Sequence, residues 1–155
     1  MSDELRRQLG VDRQQLHRLL EAHAALLSHC RITDPTRDEL PALAAILHSF
    51  YNGIENIFKR IAVALDGGTP RGPSWHAELI DSMQSPRPHR PPLLPKALSE
   101  TLQEYLDFRH VFRQAYSFEL RWSKMRQLVF EMGNVLPVLE QEIDRFLEAL
   151  HRPPS

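Results

Sequence analysis

Tyr105-Leu106-Asp107-Phe108-Arg109-His110-Val111-Phe112-Arg113-Gln114-Ala115-Tyr116 reads as helix with one residue out of place. At about 100° per residue, Leu98, Leu102, Tyr105, Leu106, Phe112, Tyr116 and Leu120 gather within about 60° of Arg109 on the helical wheel. A guanidinium therefore occupies the middle of an apolar stripe. It cannot shed its charge, and burying it without a partner is costly. It requires an acidic side chain, a phosphate, or a wet cleft between helices or subunits. The plainer alternative is that its stem packs while its head reaches water. Arg113 follows one turn later and Tyr116 nearly two turns later, with His110 and Gln114 on the adjoining face. Two guanidinium groups, a phenol, an imidazole and an amide on one helical surface suit a phosphodiester better than a lipid or a sugar.

Working outward, the chain repeats the helical period throughout. Residues 12–31 carry Leu16, Leu19, Leu20, His23, Leu26, Leu27 and Cys30 on one face, which predicts a helix with His23 as a buried neutral imidazole. Cys30 extends that face as an inert core thiol. His17 and His29 face elsewhere, so no metal site is expected. Thr36 with Glu39 makes a capping box, with Asp34 before Pro35 as the alternative cap. A second helix then runs to about Leu65 on a stripe from Leu40 through Ile61, and Asp66-Gly67-Gly68 stops it. Gly53, costly inside a helix, predicts a close helix–helix or subunit contact. His48, Tyr51, Glu55 and Lys59 flank the stripe as a polar edge expected to pack on the arginine helix. Glu55 is the candidate partner for Arg109 or Arg113, against a plain surface pair with Lys59.

Residues 66–95 hold seven of the twelve prolines and three of the six glycines. Within them Trp75–Met83 forms a short amphipathic helix capped by Ser74, with Trp75 and His76 packing on the bundle. The Pro-rich stretch 85–95 carries Arg87, His89 and Arg90 and reads as a rigid spacer; the alternative is that its basic residues reach RNA or a partner. A third long helix covers about 96–116 and a last one about 122–150, with Gly133 and Pro137 expected to bend it. The tail His151–Ser155 is expected to fray. With no β pattern and no internal repeat, the fold class is all-α: an antiparallel helical bundle of four long helices and one short one. At 155 residues this is a single domain, with its core over about 10–150. A net charge of −1 gives no global basic field, so any RNA contact is local. One cysteine, no signal-like leader and no apolar run long enough to span a bilayer predict a cytoplasmic protein without membrane partners.

The string Phe108 to Tyr116 resembles the signature helix of HepT-like proteins, a branch of the HEPN superfamily, whose pattern is Arg-x-x-x-x-His-x-Tyr. Arg109 matches its arginine and Tyr116 its tyrosine, while Gln114 stands at the histidine position. Tyr51-Asn52-Gly53-Ile54-Glu55-Asn56-Ile57-Phe58-Lys59, with Trp75-His76 following, resembles the second-helix region of the same family. The resemblance implies a HEPN fold and a homodimeric, metal-independent endoribonuclease toxin that needs no cofactor. In that scheme Arg109 stabilises charge on a scissile RNA phosphate. The helical placement of Arg113, Glu55 and Tyr51 makes them binding or positioning candidates beside it. The partner is a minimal nucleotidyltransferase antitoxin, which adenylylates Tyr116. Gln114 does not exchange protons near neutral pH. Either catalysis is attenuated, by about 10²–10⁴-fold for a lost general acid/base, or His110, one turn earlier, substitutes. The alternative is a non-catalytic module that binds nucleotide or RNA or docks the partner.

Overall fold

The computed structural model describes residues 2–151, and every regular element in it is helical. Six α-helices follow in order: α1 (Ser2–Ala22), α2 (Ala24–Ile32), α3 (Glu39–Leu65), α4 (Trp75–Gln84), α5 (Lys96–Gln114) and α6 (Trp122–His151). A single 3₁₀ turn, Ser117–Glu119, separates α5 from α6. His151 closes α6, and residues 152–155 lie outside the described residues.

α3 is the axis of the core, in contact with α1, α4, α5 and α6. The reason lies in its composition: Leu43, Leu47, Phe50, Ile54, Ile57, Phe58 and Ile61 are all buried, giving an apolar face broad enough to serve several neighbours. α1 approaches it closely at Gly53, where a Cβ would stand 2.6 Å from Leu16 Cδ2. The glycine is thus a helix–helix contact within one chain, as its mid-helix position suggests.

The capping box is present: Thr36 N donates to Glu39 Oε1 (2.8 Å) and Glu39 N to Thr36 Oγ1 (3.3 Å). Ser74 stands at the start of α4, but its side chain makes no capping bond. α6 continues unbroken through Pro137.

The first helix differs from its expected form in two ways. It begins at Ser2 rather than near residue 12, because Leu5 and Leu9 are buried and extend the Leu16 stripe backwards. The charged Arg6, Arg7 and the exposed Gly10 dilute that stripe enough to hide it in the sequence. The helix also breaks at His23 (φ −112°, ψ 17°), so the segment read as one helix is two. His23 sits on that corner and is exposed, not buried. Beyond it, Leu26 and Leu27 are partly buried against the core and Arg31 Nη2 donates to the Phe130 carbonyl on α6 (2.6 Å). Cys30 is buried, and burial pushes its thiol up, as an inert core residue requires.

The Pro-rich connection is more than a spacer. Arg90 is buried and donates to both oxygens of Asp66, at 2.8 Å each, and to the carbonyls of Ser82, Ser85 and Pro91. One guanidinium fastens the loop to the C-terminus of α3 and the end of α4. Leu93 and Leu94 then donate their amides to the Met83 carbonyl and bury their side chains. Arg90 therefore has no free face to offer RNA.

Candidate functional site

One helical row of α3 with its flank carries His48, Tyr51, Asn52, Glu55 and Lys59; His48 and Asn52 meet α5, while Glu55 and Lys59 meet α4. Arg109 reaches it from α5. Its Nε donates to Asn52 Oδ1 at 3.1 Å. A guanidinium only donates, so this bond fixes the amide: its oxygen faces Arg109 and its Nδ2 faces His48. Asn52 Nδ2 lies 3.0 Å from His48 Nε2, which must therefore accept. Neutral His48 then carries its proton on Nδ1. Burial, followed by the charges of Arg109 and Arg113, holds the imidazole below its ordinary pKa. The Phe112 ring, one turn of α5 beyond Phe108, lies 5.3 Å from the His48 ring.

Among the described residues Arg109 has no carboxylate partner within ion-pair distance, and its Nη1 is buried without a hydrogen bond. His48 Nδ1 and the Tyr51 hydroxyl are also buried and unbonded. Burial and the nearby Glu55 carboxylate push the Tyr51 phenol far above its ordinary range, so it stays protonated. Arg109 Nη1 and His48 Nδ1 are therefore buried donors with no acceptor of their own, while the Tyr51 hydroxyl faces the Glu55 carboxylate.

Glu55, expected to hold Arg109 or Arg113, is engaged elsewhere. It is 3% exposed, accepts from His76 Nδ1 at 2.7 Å and lies 3.7 Å from Lys59 Nζ. Trp75 stacks on His76 at 3.7 Å between ring centroids, and Lys59 lies over the Trp75 ring. The early turn of α4 thus supplies an imidazole that takes the carboxylate the sequence reading assigned to an arginine. Both Trp75 and His76 do pack on the bundle.

The other members of the arginine helix stand in the open. His110, Arg113 and Gln114 are exposed at the end of α5. Tyr116 leaves the helical face altogether. α5 ends at Gln114, Ala115 is extended (φ −86°, ψ 144°), and Tyr116 is 70% exposed, stacked on Phe118. It therefore does not share the Arg109 row, and it is not a core aromatic. A groove of about 650 Å³ runs between α5 and α6 past Asp107, Phe108, Val111, Leu120 and Lys124, but Arg109 does not line it. The unsatisfied donors, not this hollow, mark the polar site. Asn52, the residue that touches Arg109, went unrecognised as a partner in the sequence; its place in the His48–Asn52–Glu55 row was the available signal.

Among the described residues no group of three or more His, Cys, Asp or Glu side chains could hold a metal ion. Among the described residues no helix is long and apolar enough to cross a membrane.

A family model described as HepT-like protein matches residues 42–150. That span includes both the arginine helix and the α3 row it packs against. The chain belongs to the HepT-like family. No curated protein and no solved structure matches it.

Proposed function

We propose that this chain is the toxin-type component of a HepT-like module. It acts on RNA phosphodiesters through Arg109, in a metal-independent cleft completed by a second copy, with cleavage attenuated by Gln114. The observation that carries the reading is the state of Arg109: held by Asn52 through Nε, neutralised by no carboxylate among the described residues, with Nη1 buried and unpartnered. A cation held in that way suits an anion that arrives from outside the chain. Exposed Arg113 and His110 at the same end of α5 add local positive and polar surface, in a chain with no global basic field.

Exposed Val111, Tyr116 and Phe118 offer apolar surface where a second copy would pack. In the cleft the ribose 2′-hydroxyl attacks phosphorus and gives its proton to water. The P–O5′ bond breaks to leave a 2′,3′-cyclic phosphate and a 5′-hydroxyl that takes a proton from water, and Arg109 stabilises the charge that builds on the phosphoryl oxygens. Gln114 can orient a reacting group but moves no proton. The accessible Tyr116 hydroxyl is the acceptor for AMP, transferred from ATP by a minimal nucleotidyltransferase antitoxin with release of pyrophosphate, which would put bulk and negative charge at the end of the arginine helix.

Gln114 also favours a second reading, a non-catalytic module that binds RNA or nucleotide. The test uses the purified full-length chain with RNA in EDTA. Slow cleavage, abolished in Arg109→Ala and accelerated in Gln114→His, supports the nuclease. Binding without cleavage in either form selects the second reading. If Arg109→Ala binds RNA as well as wild type, both fail.

A further inference from the structure

Asn52 holds the cation without cancelling it. Its Oδ1 takes Arg109 Nε, at 3.1 Å, and leaves Nη1 unbonded. A carboxylate at this position would form an internal ion pair, and an aliphatic residue would leave Nε without an acceptor. An amide, however, has two faces and can turn. What keeps its oxygen toward Arg109 is the acceptor behind its nitrogen, His48 Nε2 at 3.0 Å. The bond network therefore works only while that nitrogen carries no proton.

We infer that Asn52, backed by neutral His48, is the positioning residue that holds Arg109 toward its anion and releases it when His48 is protonated. This rests on the reading of Arg109 as the anion-binding group. The consequence of protonation follows from donor and acceptor counting. His48 Nε2–H would face Asn52 Nδ2–H, donor against donor. The amide then turns to offer Oδ1 to the imidazolium, and its Nδ2 now faces Arg109 Nε, again donor against donor. Once the amide turns, Arg109 loses its hold.

The charges bearing on His48 are Arg109 and Arg113 from α5, and Phe112 covers its ring. On α3, Tyr51 is its neutral neighbour and Glu55, two turns further on, is occupied by His76 and Lys59. Burial and the two cations facing it hold the imidazole below its ordinary value, which favours the neutral form that Asn52 needs.

The test follows the Arg109 Nε–H signal in the full-length chain by NMR, between about pH 5 and 8. Binding of a single-stranded RNA oligonucleotide is measured over the same range. In wild type the Nε–H is protected from exchange at the upper end and loses protection in acid, with RNA affinity falling alongside. His48→Gln keeps an acceptor for Asn52 but does not titrate: protection persists and the acid loss disappears. His48→Leu removes the acceptor, so protection is weak at every pH. Asn52→Asp neutralises Arg109 and lowers RNA affinity by about tenfold or more, without loss of helix content.

Equal protection of the wild-type Nε–H at both ends of the range overturns the inference, and so does an acid loss that survives in His48→Gln. If Arg109→Ala binds RNA like wild type, the anion reading falls by itself, since the NMR titration needs no RNA.

Discussion

Two buried or half-buried arginines in this chain live opposite lives. Arg90 meets both oxygens of Asp66 and three carbonyls, and its side chain is wholly inaccessible. Arg109 has one amide oxygen and a buried nitrogen with no partner. A satisfied buried cation specifies architecture, here the path of the Pro-rich loop over the end of α3. An unsatisfied one keeps its capacity for a ligand. Residue type does not separate the two; the partner set does.

The comparison can be broken most forcefully at Arg90. Arg90→Ala strands Asp66, itself only 8% exposed, and should cost about 3–5 kcal/mol of stability by denaturant midpoint. A loss under about 1 kcal/mol would remove Arg90 from the architecture. Arg109→Ala should do the reverse. RNA cleavage or binding should fall by about 10²–10³-fold, while the midpoint moves by less than about 1 kcal/mol. A large stability loss there would make it a second Arg90.

Smaller effects sharpen the setting of the α3 face. Gly53→Ala drives a methyl into Leu16 and should cost about 1 kcal/mol net, overpacking being partly offset by the better helix propensity of alanine. A stabilised variant would mean Leu16 has room to turn aside. His48 is held below its ordinary 6.5, so its neutral form is the one the fold favours. The sign follows: its contribution is complete above that value and is lost as pH falls through it, because the unfolded chain takes up the proton first. Wild type should therefore lose more melting temperature than His48→Gln between neutral and mildly acid pH; parallel curves would contradict this. Smallest of all, Tyr116→Phe at a 70% exposed position should shift stability by no more than about 0.5 kcal/mol, while removing the acceptor for AMP in an adenylylation assay.

Much of the fold is legible in the chain because helices announce themselves locally. The Leu43–Ile61 stripe, the Thr36–Glu39 box and the Asp66-Gly67-Gly68 stop each act within one or two turns. The break at His23 was not legible, for no glycine or proline marks it and the apolar period continues across it. The Leu5 and Leu9 turns were missed because charged neighbours masked two leucines that only the packed partner reveals as buried. At the site, Arg109 stood out by its place in an apolar stripe. Its partner did not, because Glu55 looked the better electrostatic match until His76 took it.

The sequence by itself determined the helical class, the stripe and ends of α3, and that a permanent cation lies in an apolar face, though not the start of α1 or its break at His23. Only the tertiary structure decided which polar groups meet: Asp66 with Arg90, Glu55 with His76, and Asn52 between His48 and Arg109. The physical reason is one of range. The helical period is set by bonds four residues apart, whereas a charge is satisfied by whatever α4 or α5 brings to within about 3 Å across the core.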